Sequence, residues 1–202
     1  MSMDYDVIVV GGGPAGATAA EDLARAGRKV AMIDREGRIK PCGGAIPPRL
    51  IEDFAIPDSQ LVAKVNCARM ISPTGRSVDI HIENGFVGMV DRERFDEYLR
   101  VRASRAGAHR YAGERDEAGP RVVFRDKASG ARMTLGARIV IGADGARSDV
   151  ARAEVPGGDR IPYVIAYHEI VRAPLNDQSY DPARCDVVYD GRISPDFYGW
   201  VF

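Results

Sequence analysis

The sequence is poor in the residues that build disulfide frameworks and zinc sites. Its 202 residues include three cysteines, Cys42, Cys67 and Cys185, which lie far apart and form no CxxC pair. An odd number of widely spaced cysteines argues against a disulfide framework, so we expect a reducing compartment. The three histidines lie far from the cysteines, and we predict no metal site.

Long hydrophobic runs and an excess of one charge are also lacking. The longest charge-free run, Val7 to Ala20, contains four glycines and is too short to cross a bilayer as a helix. Lys and Arg number 28 against 29 Asp and Glu, a net charge of -1. This balance argues against a nucleic-acid partner, which would favour a strongly basic domain. Any membrane contact of these residues is therefore expected to be peripheral.

A polar tail is missing as well. The last residues, "DFYGWVF", are aromatic and β-branched, whereas the ends of natural chains are usually polar and frayed. We therefore expect the sequence to be truncated within a strand.

What the sequence does contain begins with a β-α-β unit. "YDVIVV" (Tyr5–Val10) and "KVAMID" (Lys29–Asp34) are apolar runs typical of buried strands. Between them, the Ala-rich stretch from Pro14 to Gly27 predicts a helix that ends at the glycine. Since such crossovers join parallel strands, the fold class is α/β with a Rossmann-like parallel sheet.

The remaining pattern predicts further elements and a second region. Residues 59–83 and 108–135 are interpreted as inserted hairpins, the second turning near Ser129-Gly130. Asp91–Gly107 predicts an amphipathic helix capped by Asp91, with Phe95 and Leu99 on its buried face. Ala137–Gly145 predicts another buried strand. We assign residues 1–155 to a nucleotide-binding domain and 156–202 to the start of a β-rich domain, with strands in "YVIAYHEIVRA" and "CDVVYD".

The first motif is Gly11-Gly12-Gly13-Pro14-Ala15-Gly16, a G-x-G-x-x-G sequence between the first strand and the helix. Gly11 permits the tight turn, Gly13 lets a pyrophosphate approach, and Gly16 lets helix and strand pack closely. Asp34 ends the second strand, where its carboxylate accepts hydrogen bonds from a ribose. This context indicates a dinucleotide site, and the acid disfavours NADP there. The fingerprint alone does not distinguish an FAD site from an NAD site.

Three further features have both a functional and a structural interpretation. Asp144-Gly145 follows a buried strand at the ligand-binding edge of the sheet, or is a turn that caps the next helix. Arg92 opens its helix, where it is either a ligand contact or an exposed charge. "PCGGAIP" is a bare loop around Cys42, either a tight turn with an incidental thiol or a surface for a flat ligand.

The order of these motifs resembles the FAD-dependent oxidoreductases of the aromatic-hydroxylase fold. The stretch "KPCGGAIPP" resembles the geranylgeranyl reductase family more specifically. The amino-acid sequence of the whole chain is similar to the branch of that family that acts on chlorophyll and bacteriochlorophyll. The resemblance covers essentially all 202 residues. The second flavin-contacting Gly-Asp segment and the C-terminal substrate region of that family do not appear in the sequence.

The resemblance implies a role for each matching residue. Gly11, Gly13, Pro14, Ala15 and Gly16 would hold the FAD pyrophosphate, and Asp34 would bind the ribose. Arg35 would lie at the adenosine end, and Arg92 would reach back to the FAD. The other implied contacts are Asp144 and Gly145 near the pyrophosphate–ribityl region, and Cys42, Gly43 and Gly44 by the isoalloxazine ring.

Cys42 has two interpretations within this family. Its thiol faces the reacting double bond as a catalytic residue, or it is a small, soft residue that shapes the pocket. An ordinary thiol, with a pKa of about 8.5, is a weak acid for protonating an alkene. Both interpretations stay open at this point.

The implied activity is NADPH-driven reduction of isoprenoid double bonds, which converts a geranylgeranyl chain to a phytyl chain. The substrate is a geranylgeranylated pigment or a prenyl diphosphate, and we expect a cytoplasmic protein peripheral to the photosynthetic membrane. Alternatives are a flavin monooxygenase of the same fold, a reductase of archaeal-type prenyl lipids, and an inactive FAD-binding fragment.

Overall fold

The structure is a computed structural model that describes residues 4–35, 40, 42–117, 121–174 and 180–202. It divides into two compact units, Met1–Ile39 with Phe95–Tyr163, and Lys40–Arg94 with Val164–Phe202. Each is described by itself. The predicted domain boundaries at 155 and 156 stay a prediction.

The strands and helices are numbered in chain order. The strands are β1 Tyr5–Val10, β2 Val30–Asp34, β3 Ala45–Ile46, β4 Leu61–Val65, β5 Cys67–Ile71, β6 Ser77–His81, β7 Val87–Val90, β8 His109–Glu117, β9 Val122–Asp126, β10 Arg132–Leu135, β11 Ala137–Gly142, β12 Arg184–Val188 and β13 Gly199–Val201. The helices are α1 Pro14–Arg25, α2 Pro48–Asp53, α3 Arg92–Arg105 and α4 Asp149–Glu154, and Asp58–Gln60 form a 3-10 turn.

The first unit is built on a six-stranded sheet in the order β10-β9-β8-β2-β1-β11. Strands β8, β2, β1 and β11 are parallel to one another, while β9 and β10 add an antiparallel hairpin at one edge. The predicted β1-α1-β2 unit is confirmed. Because both faces of a parallel sheet are covered, Ile8, Val9 and Met32 are fully buried in its centre.

Helix α3 has the predicted start and the predicted buried face. The Glu93 N–H donates to Oδ1 of Asp91 over 3.0 Å, so Asp91 satisfies a donor of the first turn. Phe95 and Leu99 are each 4% exposed, as the amphipathic pattern predicts. Helix α1 is shorter than predicted and ends at Arg25, with Gly27 following in the left-handed region at φ 74°.

The second unit contains two small sheets. One has the order β13-β12-β5-β6 and the other the order β3-β7-β4. Strands β5 and β6 form a hairpin inside the predicted range 59–83, and β9 and β10 form the one predicted around Ser129-Gly130. Strand β12 matches the predicted strand in "CDVVYD".

The strand predicted in "YVIAYHEIVRA" is wrong. Residues 163–173 have no regular secondary structure, and Ile165, Tyr167 and Ile170 are more than 80% exposed. Alternation of apolar and polar residues predicts a strand only where another strand and a core face are available. In the part of the chain that the structure describes, no strand pairs with this segment.

No helix among the described residues is both long and apolar enough to cross a membrane.

Candidate functional site

The glycine-rich turn connects β1 to α1, and two of its glycines are required by close backbone contacts. Gly11 has φ 104°, and a Cβ there would lie 2.3 Å from the carbonyl oxygen of Ala143. A Cβ on Gly16 would lie 1.9 Å from the carbonyl oxygen of Gly11. Both positions therefore exclude any side chain. The first unit brings Gly11 and Gly16 into the tight turn and close packing that the fingerprint predicts, and it also places Ala143, after β11, against Gly11.

Gly13 is different, because its missing side chain leaves open space. A Cβ on Gly13 would meet nothing within 4 Å. The residue is the N-cap of α1, no side chain caps this helix end, and Pro14 occupies the first turn. The first N–H groups of a helix lack intrahelical partners and attract anions. The residues present therefore fit a pyrophosphate group, which would use the space beside Gly13.

Asp34 is held in place by the same turn. The Gly12 N–H donates to Oδ2 of Asp34 over 2.8 Å. A Cβ on Gly12 would lie only 2.7 Å from Cβ of Asp34, so this glycine makes room for the carboxylate. The turn therefore fixes the orientation of the carboxylate at the end of β2.

Arg100 of α3 joins this group and was missed by sequence reasoning. Its guanidinium nitrogen Nη1 donates to the carbonyl oxygen of Gly12 over 3.2 Å and lies 3.4 Å from Oδ1 of Asp34. The residue is only 8% exposed. A buried cation thus faces both the turn and the acid of the fingerprint.

A second arginine holds Arg100 indirectly. Arg110 of β8 forms two hydrogen bonds with Glu97, of 2.6 and 2.8 Å, and Glu97 Oε2 accepts a 3.0 Å bond from Nε of Arg100. Arg110 first, and Arg100 second, hold the pKa of the Glu97 carboxyl below its ordinary value. The result is a chain of ion pairs from β8 through α3 to Asp34.

The sequence contained one signal for Arg100. It lies four residues after Asp96 and beside Leu99, on the buried face of α3. A charged residue on a buried helical face needs a partner, but the sequence does not identify Asp34 as that partner.

Asp144 makes the contacts that the structural interpretation predicted, while its proposed role at FAD stays a prediction. Its Oδ2 accepts hydrogen bonds from the N–H groups of Asp149, at 2.7 Å, and Val150, at 3.3 Å. Oδ1 accepts from the hydroxyl of Ser148, the N-cap of α4. Gly145 follows with φ 93°. The carboxylate of Asp144 therefore anchors the start of α4.

Arg35 follows β2 directly and is exposed. Its Nη2 lies 3.8 Å from Oδ2 of Asp149, a loose ion pair between partly exposed side chains.

The remaining predicted residues belong to the second unit. Cys42 is exposed, and Pro41 of the same loop lies outside the described residues. Gly44 has φ 75°, and a Cβ there would lie 2.2 Å from the carbonyl oxygen of Val90 in β7. Arg92 is the first residue of α3 and is half-buried.

Aromatic side chains pack against the Cys-Gly-Gly loop. A Cβ on Gly43 would lie 2.7 Å from the ring of Phe202 and 3.2 Å from Nε1 of Trp200. The rings of Trp200 and Phe202 have centroids 6.3 Å apart. Both glycines of the loop thus have a packing reason inside this unit, which the sequence did not reveal.

Comparison with known proteins identifies the family. Residues 5–177 match the pyridine nucleotide-disulphide oxidoreductase family. The chain belongs to this family. The match and the geometry of the first unit confirm the predicted fold class, an α/β Rossmann-like fold that binds FAD in this family.

Several relatives of the chain are named geranylgeranyl diphosphate reductase, so the resemblance seen in the sequence is confirmed. The chain is 67% identical over 205 residues to the geranylgeranyl diphosphate reductase of Rhodobacter capsulatus, covering 99% of this chain and 52% of that protein. It is 40% identical over 214 residues to the chloroplastic geranylgeranyl diphosphate reductase of Oryza sativa, covering 97% of this chain and 46% of that protein.

One solved structure in the same group is similar along nearly the whole chain. It is a geranylgeranyl bacteriochlorophyll reductase-like protein from Thermoplasma acidophilum, with a TM-score of 0.76 and 27% identity. The match covers 98% of this chain and 53% of that one. The chain thus spans about half the length of the family members that it matches.

Proposed function

We propose that this chain is the FAD-binding part of a reductase that saturates the double bonds of geranylgeranyl chains. The observation that supports it most is the geometry of the β1–α1 turn, where Gly13 leaves open space and Gly12 holds Asp34 over 2.8 Å. The 67% identity to the geranylgeranyl diphosphate reductase of Rhodobacter capsulatus supports the substrate class.

Different residues of the first unit would bind different parts of FAD. The N–H groups at the start of α1, from Gly13 to Gly16, would bind the pyrophosphate, and Asp34 would accept from the adenosine ribose. Arg35 would lie near the adenosine end. Asp144 would act by holding α4, while the N–H of Gly145 would face the ribityl side.

The resemblance to the geranylgeranyl reductases assigns further residues to the reaction itself. Bound FAD, once reduced by two electrons from the proposed donor NADPH, would supply hydride to one carbon of a trisubstituted alkene, and the other carbon would need a proton. Arg92 is assigned to FAD, and Cys42, Gly43 and Gly44 to the flavin ring and the prenyl chain. Trp200 and Phe202, packed beside Gly43, offer the apolar aromatic surface that a prenyl chain requires.

The thiol of Cys42 keeps two proposed roles. It is exposed on its loop, so it is accessible as a proton donor at the alkene, and it is also small enough to shape the pocket only. Comparison of Cys42→Ser with Cys42→Ala separates the two. Loss of turnover in both with unchanged substrate affinity supports proton donation, whereas activity in Cys42→Ala supports a shaping role.

Substrate, electron donor and location are proposed for the whole protein. The substrate is the geranylgeranyl ester of a chlorophyll or bacteriochlorophyll, or free geranylgeranyl diphosphate, and the electron donor is NADPH. Because a pigment with a C20 tail resides in membrane, we propose a peripheral attachment to the photosynthetic membrane. Residues 1–155 are proposed as the FAD-binding domain and 156–202 as the start of the substrate domain.

The cofactor is tested by the visible absorption spectrum of the purified chain, before and after addition of FAD. The bands of oxidised flavin, released as FAD on denaturation, are expected. A colourless protein that takes up no FAD contradicts the proposal for this chain.

The reaction is tested by incubating the chain, joined to the second half of the Rhodobacter capsulatus relative, with NADPH and geranylgeranyl diphosphate. NADPH oxidation and addition of one H2 per reduced double bond are expected by mass spectrometry. Oxygen consumption coupled to a hydroxylated product would instead identify a flavin monooxygenase.

A further inference from the structure

We propose that Arg100 is a positioning residue that makes the nucleotide site selective for an intact adenosine ribose. This inference concerns the same site as the proposed function and rests on nucleotide binding there. It does not depend on whether the nucleotide is FAD.

The first step is the contact of Arg100 with both parts of the fingerprint. Its Nη1 lies 3.2 Å from the carbonyl oxygen of Gly12 and 3.4 Å from Oδ1 of Asp34. Gly12 in turn donates its N–H to Oδ2 of Asp34 over 2.8 Å. The carboxylate is therefore held through both oxygens, and its plane is set by two independent contacts.

The second step is burial and charge. The side chains of Arg100 and Asp34 are 10% and 16% exposed, so solvent screens their interaction only partly. A largely buried carboxylate that lost the cation beside it would be held less firmly in its orientation. Arg100 supplies a compensating charge to Asp34 from the protein side.

The third step is the support behind the guanidinium. Glu97 accepts from Nε of Arg100 at 3.0 Å and is itself held by two bonds from Arg110. This arrangement fixes the guanidinium plane, so that Nη1 has a defined direction toward Asp34. Arg100 thus acts on the ligand through Asp34.

The chain offers a matched control on the same helix. Arg102, two residues along α3, pairs with the buried Glu21 of α1 at 3.0 Å. It is an arginine in a partly buried ion pair within the same unit, and its partner Glu21 lies on α1, whereas Asp34 lies on β2. Loss of Arg102 therefore reports the structural cost of removing such an ion pair from α3.

The experiment measures binding of ADP and 2'-deoxy-ADP, and of FAD, to the purified chain by isothermal titration calorimetry. The variants are Arg100→Met, Arg100→Lys and the control Arg102→Met, with thermal unfolding recorded for each. We expect the wild-type chain to prefer ADP over 2'-deoxy-ADP by roughly tenfold, as for a hydrogen bond to a charged group.

In Arg100→Met this preference should disappear while binding of 2'-deoxy-ADP is retained, and Arg100→Lys should restore part of it. Arg102→Met should keep the full preference even where its unfolding temperature falls. Retention of the wild-type preference in Arg100→Met overturns the inference. Equal weakening of both nucleotides in Arg100→Met and Arg102→Met would also overturn it, because that is a structural effect.

The two proposals fail in different ways. A chain that binds ADP with the expected Arg100 dependence but takes up no FAD contradicts the flavin function and leaves the role of Arg100 standing. A wild-type chain that binds FAD without any preference for the ribose contradicts the role of Arg100 alone. A wild-type chain that binds neither nucleotide overturns both.

Discussion

The backbone N–H of Gly12 donates to Oδ2 of Asp34 over 2.8 Å, which ties the glycine-rich turn to the acid at the end of β2. The two residues are 22 positions apart in the chain and belong to different elements. Their contact shows that the fingerprint is one structural unit, in which the turn itself orients the carboxylate that we propose to bind the ribose.

Alanine at two glycines of the turn should affect different properties, stability at Gly16 and FAD affinity at Gly13. Gly16→Ala places a Cβ 1.9 Å from a backbone oxygen, so we expect a loss of at least about 3 kcal/mol in the free energy of unfolding. Gly13→Ala meets nothing within 4 Å and has an ordinary φ of -70°. Its stability should stay within about 1 kcal/mol of wild type, while its FAD affinity falls.

Urea unfolding of the cofactor-free chain and FAD titration measure the two effects of these alanines separately. A stable Gly16→Ala protein would contradict the close packing of α1 on the turn. Unchanged FAD affinity in Gly13→Ala would mean that the open space beside Gly13 is not used by the pyrophosphate.

The buried Glu21 should be a major contributor to the stability of the first unit. It is 3% exposed and pairs with Arg102 of α3 and with Arg25. Glu21→Ala leaves Arg102 without this buried partner and should cost about 3 kcal/mol in the free energy of unfolding. Arg25→Ala is the control, since Arg25 is 66% exposed and its loss should cost less than about 1 kcal/mol. Equal losses in urea denaturation would refute this assignment.

The three thiols should differ sharply in reactivity. Cys42 is exposed, whereas Cys67 and Cys185 are 5% and 7% exposed. Burial raises the pKa of Cys185 to about 11, which leaves little of the reactive thiolate at neutral pH. An aromatic disulfide reagent should modify one thiol rapidly in the native chain and three after denaturation. Cys42→Ser should abolish the rapid phase, and a rapid phase that survives in this variant would contradict the burial of the other two.

Glu97 should make stability dependent on acid pH. Arg110 first, and Arg100 second, lower the pKa of its carboxyl below the ordinary value of 4.5. The folded state therefore binds a proton less readily than the unfolded state. The stabilisation from Glu97 is fully present above the ordinary pKa and is lost as pH falls through the lowered value.

Glu97→Gln tests this dependence, because the amide cannot titrate. Free energies of unfolding measured against pH should show the wild-type chain more stable than the variant at neutral pH. The two curves should converge in acid. Parallel curves across the whole range would show that Glu97 does not contribute through ionisation.

Local sequence was sufficient for the elements whose pattern and partners lie close together in the chain. The β1-α1-β2 unit, the Asp91 cap of α3 and the hairpin at Ser129-Gly130 were predicted because periodicity, capping and turn residues act over a few positions. The Gly-rich fingerprint and Asp34 were predicted for the same reason.

The tertiary structure decided what depends on distant partners. Arg100 became part of the site because α3 places it against Gly12 and Asp34, which lie 88 and 66 residues away in the chain. The segment 163–173 shows the opposite case, since its alternation was present but no strand among the described residues pairs with it.

Asp144, Gly43 and Gly44 complete the comparison. Each had two interpretations in the sequence, and the structure shows a partner for each. Asp144 caps α4, Gly43 packs against the rings of Trp200 and Phe202, and Gly44 packs against β7. The sequence by itself determined the fold class, the nucleotide fingerprint and the family, because these depend on local patterns and motifs. The tertiary structure alone decided which charged residues form ion pairs and which glycines pack against distant residues. These contacts depend on proximity in space and not on proximity in the sequence.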